Sequence, residues 1–238
     1  MASKRATIVI VHGAWVGAWR WRPVADILVD RGHRVFTPTL TGLGEREHLN
    51  SPAENLSMHG RDVANLIKYE GLEDILLVGH SYGGMPVSVA TELVPEGIIR
   101  SIMYMDAFFP DDGECLNDLV PGGRHFGKEG GYLVEPPRAN QAGMNAHMEA
   151  GARASFEERR TAQSVHCFTE PVRLTGARER IPRKAYVLAT SYENRTFGPM
   201  AEKLRSRAGW RVEEMPYTHD IQHVAQGETA DMIETALG

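Results

Sequence analysis

The sequence predicts an α/β fold: a doubly wound, mostly parallel sheet interrupted once by an inserted helical lid. Three observations carry that expectation. Apolar runs of strand length alternate with segments of helical periodicity, a pattern that calls for parallel strands joined by crossover helices. One such run, Ile75-Leu76-Leu77-Val78, enters Gly79-His80-Ser81-Tyr82-Gly83-Gly84, a strand-to-helix turn with small residues on both sides of a serine. The alternation then lapses between about 110 and 180, where Gly122-Gly123, Gly130-Gly131 and Pro136-Pro137 separate short helical stretches. So long a stretch is uncommon as a structureless loop in a compact domain, so a lid with helix of its own is expected. The chain has 238 residues and is 42% hydrophobic, enough to bury the core of a single domain spanning 1–238.

Each element has its own signal. Thr7 to Val11 reads as the first strand, and Trp21, Val24, Ile27 and Leu28 mark one helical face that stops at Arg31-Gly32. Residues 33–40 read as the next strand, broken by Thr41-Gly42-Leu43-Gly44. A helix over 57–69 turns Val63, Leu66 and Ile67 inward, with Ser57 as its cap. The serine-bearing strand follows, then its helix to about Leu93 and a strand over 100–105. Beyond the lid, 184–189 is a strand, 197–208 a helix, 210–215 a strand and 228–237 the last helix.

Composition excludes several classes of function. The net charge of -5 offers no basic surface for nucleic acid. Lysine and arginine are scattered, apart from Arg178, Arg180, Arg183 and Lys184, which read as a solvated lid face. The apolar run 8–11 is too short for a signal-peptide core, and no run approaches membrane-spanning length, so no membrane partner is expected. Cys115 and Cys167 lie far apart without metal-ligand spacing, which indicates neither a zinc site nor a disulfide framework and fits a reducing cytoplasm. The oligomeric state stays open, a homodimer included.

The turn at Ser81 has the form Gly-x-Ser-x-Gly, which lifts a serine out of the chain as a nucleophile. A serine so used needs a general base and an acid that orients the base. Loops at the carboxyl ends of parallel strands converge on one edge of the sheet. His219 comes first after the last strand and therefore arrives on the side of Ser81; His223 would share its face if the loop coils. His125, His147 and His166 fall inside the lid region. Two carboxylates sit at suitable strand ends, Asp106 and Glu193. Asp106 is favoured because it closes a very apolar strand, and a buried charge demands a partner. Asp111, Asp112 and Asp220 read as solvated turn residues. The developing oxyanion needs donors, and the backbone N–H groups of Tyr82 and Ala14 are the candidates. Trp15 and Trp19 are expected to wall the pocket.

His12-Gly13-Ala14-Trp15-Val16-Gly17-Ala18-Trp19-Arg20-Trp21, the Gly79-to-Gly84 turn and the late histidine together resemble the α/β-hydrolase superfamily. Within it the resemblance is to the methylesterase and hydroxynitrile-lyase family, in its bacterial esterase-like branch. It covers almost the whole chain and implies a central sheet with a helical cap, no cofactor and no metal. It puts the nucleophile at Ser81, the base at His219 and the oxyanion donors at Ala14 and Tyr82. Two departures matter. Plant members carry an aspartate just after the strand that here ends at Ala189, where this chain has Thr190-Ser191-Tyr192-Glu193-Asn194, so the acid shifts to Asp106. Hydroxynitrile lyases place a lysine beside the histidine, where this chain has Asp220, which disfavours cyanohydrin cleavage. The expected activity is hydrolysis of carboxylic esters of small, largely apolar molecules; lyase or lactone-opening chemistry, or a non-catalytic receptor, are the alternatives.

Overall fold

A computed structural model describes residues 5–121, 126, 130–137 and 150–237. In chain order the elements are β1 (Thr7–Val11), α1 (Arg22–Asp30), β2 (Arg34–Phe36), α2 (Leu56–Tyr69), β3 (Ile75–His80), α3 (Gly84–Leu93) and β4 (Ile99–Met105). Then come α4 (Leu116–Leu119), β5 (Leu133–Val134), α5 (Ala150–Glu158), β6 (Gln163–Ser164), α6 (His166–Thr169) and α7 (Ala177–Arg180). The chain closes with β7 (Arg183–Ala189), α8 (Phe197–Arg205), β8 (Trp210–Met215), α9 (Ile221–Val224) and α10 (Gln226–Glu234).

Six strands form one parallel sheet in the order β2-β1-β3-β4-β7-β8. The side-chain period of two splits each central strand between two cores. Val9, Val11, Leu77 and Tyr104 pack with Val63 and Ile67 of α2, Met85 and Val87 of α3 and Leu204 of α8. Ile8, Ile10, Val78 and Met103 face the opposite way, onto Trp21 just before α1, Val24 and Leu28 of α1 and Ile233 of α10. Strands buried on both faces are what near-continuous apolar runs such as 8–11 and 75–78 require. The sheet is thus covered by helices on both sides, and its carboxyl-end loops gather along one edge.

Between β4 and β7 the described chain adds short helices and a two-stranded antiparallel ribbon, β5 with β6, that stays apart from the main sheet. Of the features read there from sequence, Gly122-Gly123, His125 and His147 lie outside the described residues.

Several expectations need correction. The second strand is only Arg34–Phe36 rather than 33–40; it is an edge with β1 as its one neighbour, and Pro38 has no N–H for a ladder. The cap of α2 is Asn55, whose side chain accepts from the Met58 N–H at 2.8 Å, while the Ser57 hydroxyl donates to Glu170. The last helix is split into α9 and α10 and begins earlier than 228. The basic cluster is no uniform solvated face. Arg178 is 3% exposed, lies 3.7 Å from the centre of the Phe109 ring and donates to the Pro110 carbonyl, while the Lys184 ammonium binds the Glu179 and Ile181 carbonyls.

Candidate active site

Ser81 stands at the end of β3 with φ of 54°, in the left-handed region that a serine rarely adopts. The turn exists because its neighbours are glycines. A Cβ on Gly83 would sit 2.4 Å from the Val11 carbonyl oxygen, and one on Gly79 would sit 2.8 Å from that of Gly83. The Ser81 carbonyl accepts the Phe108 N–H at 3.0 Å, which ties the elbow to the loop after β4.

Asp106 ends β4, is fully buried and also has a left-handed φ, 44°. Its Oδ2 lies 2.6 Å from His219 Nδ1 and accepts the Tyr192 hydroxyl at 2.5 Å. Its Oδ1 accepts the Ala189 N–H at 3.1 Å and the Asn194 amide at 2.7 Å. Four donors therefore compensate one buried carboxylate. Because a carboxylate can only accept, Nδ1 of His219 carries the proton of that bond. The imidazole is also clamped by rings: Phe197 stacks at 5.2 Å between centroids and His80 at 4.7 Å. His80 Nε2 donates to the His219 carbonyl at 3.0 Å.

Ser81, Tyr82 and His219, with Gly13, Ala14 and Trp15 of the turn after β1, line one cavity of about 220 Å³. Phe108, Phe126, Phe156, Phe168 and Phe197 make most of its remaining wall aromatic. Arg20, Arg160, Asp220 and Gln222 give it a polar end. The turn after β1 is braced by His12. The Leu40 N–H donates to His12 Nε2 at 3.1 Å, which leaves the proton on Nδ1 for the Gly13 carbonyl at 2.8 Å.

Not every residue singled out from sequence reaches this cavity. Glu193 has a side chain 74% exposed and pairs with Arg195, so of the two acids only Asp106 meets His219. Asp220 is buried rather than solvated and pairs with Arg20 at 2.9 Å. Trp19 and His223 line a separate cavity. Sequence reading passed over Tyr192, Asn194, His80 and Phe197. The signal for the first two was present: they follow β7 and so arrive at the same edge of the sheet as Asp106.

Burial sets the charge of the surrounding histidines. It lowers the pKa of His12 to about 4, and that of His80 to about 3 with the help of neighbouring His219. At His59, beneath Tyr82, burial pulls downward, but Cys167 and Glu54 outweigh it and push the pKa up to about 10. Unfolded histidines titrate near 6.5, so the signs are opposite. The stability held by neutral His12 and His80 is complete above pH 6.5 and is lost as pH falls toward 4 and 3. The stability held by protonated His59 is complete below pH 6.5 and is lost as pH rises through 10. Urea unfolding is therefore expected to give maximal stability near pH 6.5 to 7, each imidazole contributing a slope of up to about 1.4 kcal/mol per pH unit in its window. A profile that is flat between pH 4.5 and 6.5 refutes the assignment of His12 and His80.

Among the described residues one group has the makings of a metal site. Glu54, His59 and Cys167 are fully buried, and their ligand-type atoms lie within 4.8 Å of one another. Both imidazole nitrogens of His59 are already engaged, however: Nδ1 with the Tyr82 hydroxyl and Nε2 with the Thr41 carbonyl, each at 2.8 Å. The group is a polar knot that ties α2 and the 163–169 segment to the back of the elbow. Cys115 and Cys167 are both free thiols.

A family model described as alpha/beta hydrolase family matches residues 8–232. The chain belongs to the alpha/beta hydrolase family. Among its relatives in that family is the carbendazim hydrolyzing esterase of Nocardioides sp. (strain SG-4G), 36% identical over 249 residues, covering 98% of this chain and all of that protein. The alpha-hydroxynitrile lyase of Arabidopsis thaliana is 30% identical over 104 residues, 43% of this chain and 40% of that protein. In fold, this α/β hydrolase superposes on an extracellular alpha/beta-hydrolase from a Paenibacillus species with a TM-score of 0.83, at 23% identity and over 97% and 98% of the two chains. Among the described residues of the α/β hydrolase no helix is long and apolar enough to cross a membrane.

Proposed function

We propose that this ester-cleaving α/β hydrolase works through an acyl-enzyme on Ser81, with His219 as base and acid and Asp106 as the residue that orients it. The bond of 2.6 Å between His219 Nδ1 and Asp106, in the cavity that Ser81 lines, carries this reading. With Nδ1 protonated, Nε2 is the nitrogen free to take the Ser81 proton as Oγ attacks the ester carbonyl. The backbone N–H groups of Ala14 and Tyr82 stabilise the oxyanion. The imidazolium gives its proton to the departing alcohol, and a water then repeats the sequence in reverse order to release the acid. Each proton is handled by the chain's own groups, so the reaction needs neither cofactor nor metal.

The aromatic lining and small volume support substrates that are small, largely apolar esters, in keeping with a relative named for hydrolysing carbendazim. The residues from about 110 to 180 act as a lid on a single domain, since Leu116, Val120, Phe126, Phe156 and Phe168 from that stretch form part of the cavity wall. The negative net charge and free thiols support a cytoplasmic enzyme without nucleic-acid or membrane partners.

The test is a panel of p-nitrophenyl esters and lactones of graded chain length, with rapid acid quenching and mass analysis of the peptide that holds Ser81. A transient mass increase equal to the acyl group, with turnover favouring short esters, is the expected result. Turnover of the panel without any adduct on Ser81 would reject the acyl-enzyme in favour of a lyase-like path.

A further inference from the structure

Trp15 follows Ala14, the proposed oxyanion donor, and has φ of 60°. A bulky residue leaves that region unless its surroundings hold it there. The hold comes from one piece of chain. The Trp15 N–H donates to Gln163 Oε1 at 3.1 Å, its indole N–H donates to the Val134 carbonyl at 3.1 Å, and its carbonyl accepts the Thr161 N–H at 3.1 Å. Val134 and Gln163 are paired residues of the β5–β6 ribbon, and Thr161 leads into it. The hydrogen-bonding groups of Trp15 thus end on that ribbon or on the residue that leads into it, all part of the insert and not of the main sheet.

Gln163 is the central residue of this clamp. It is fully buried, and because a backbone N–H can only donate, its oxygen must face Trp15. Among the described residues its Nε2 finds no hydrogen-bond partner. A buried amide with half of its capacity unmet is costly, so packing alone would favour an apolar side chain here. What the amide supplies is the acceptor for Trp15.

We propose that Gln163 is a positioning residue for the oxyanion hole: by clamping Trp15 in its left-handed conformation, the β5–β6 ribbon fixes the turn that presents the Ala14 N–H. The inference rests on the proposed role of Ala14. Without the clamp, Trp15 relaxes toward negative φ and the turn before it shifts. A donor displaced by a fraction of an ångström loses more against a charged transition state than against a neutral carbonyl. The loss therefore falls on kcat rather than on KM.

The experiment compares Gln163→Leu, Gln163→Glu and Gln163→Asn with the unaltered protein on p-nitrophenyl acetate, with thermal melting of each and Ser81→Ala in parallel. Leucine removes the acceptor at similar volume and is expected to lower kcat on the order of 10- to 100-fold with KM within about twofold. Glutamate keeps an oxygen in place and restores most of that loss. If Gln163→Leu does not fold, Gln163→Asn keeps the amide but falls short of Trp15, and it shows the same fall in kcat at unchanged KM. A rise in KM at constant kcat, equal losses for leucine and glutamate, or full kcat in the leucine or asparagine variant overturns the proposal. If Ser81→Ala keeps its turnover, the nucleophile reading falls and the clamp falls with it. If Ser81→Ala is inactive while Gln163→Leu turns over normally, the clamp alone is wrong.

Discussion

Ser81→Ala is expected to abolish turnover, by about six orders of magnitude in kcat, and to leave the fold in place. The substitution deletes one oxygen. The contacts that shape the elbow are backbone contacts, among them the Phe108 N–H on the Ser81 carbonyl at 3.0 Å, and alanine retains them. The glycines that let β3 and α3 pass so closely are untouched. On the proposed mechanism the atom that goes is the one that forms the acyl bond, so the proposed oxyanion amides and His219 would be left to promote direct attack by water, which is worth far less. Steady-state kinetics with thermal melting checks this: a variant that melts like the parent and keeps even a hundredth of its kcat sinks the covalent mechanism.

The second large effect separates the two acids. Asp106→Asn is expected to reduce kcat by about four orders of magnitude, and Glu193→Gln by no more than about twofold. Asp106 is surrounded by donors: the Ala189 N–H, the Tyr192 hydroxyl and the Asn194 amide, besides His219. An asparagine has one oxygen, which these neighbours will claim, so its NH2 turns toward His219. The imidazole then accepts at Nδ1 and carries its proton on Nε2, the tautomer that cannot take a proton from serine. Glu193 points into solvent against Arg195 and touches none of this. Measured kcat for the two variants decides the matter, and a heavier loss in Glu193→Gln would move the acid's role.

Much of this was legible in the chain. The apolar runs 8–11 and 75–78 are strands because no surface-compatible alternation interrupts them, and Asp106 could be preferred because so apolar a strand runs into it. The illegible parts depend on contacts far along the chain. Asp220 reads as a turn residue until Arg20, two hundred positions earlier, is found 2.9 Å away. Trp15 and Trp19 look equivalent in sequence, yet their four-residue spacing ends where the chain turns into a short helical stretch, Ala18–Arg20, and only Trp15 reaches the cavity. The loop 190–194 looked like the place where an acid had been lost. It is where Tyr192 and Asn194 are supplied to the acid on the neighbouring strand.

Among the described residues four non-glycines have positive φ, and three of them are Trp15, Ser81 and Asp106. They follow the ends of β1, β3 and β4, adjacent strands of the sheet. Each such conformation costs about 1–3 kcal/mol relative to a relaxed backbone. Glycine would be more comfortable at all three positions, but at Ser81 and Asp106 it would remove the side chains to which the proposed mechanism assigns nucleophile and acid. On that mechanism, selection for heat resistance and selection for turnover are expected to oppose each other along this edge. Variants chosen for thermal stability alone will tend to erode it first, and stabilising changes compatible with activity belong elsewhere, on the far end of the sheet and the outer helices.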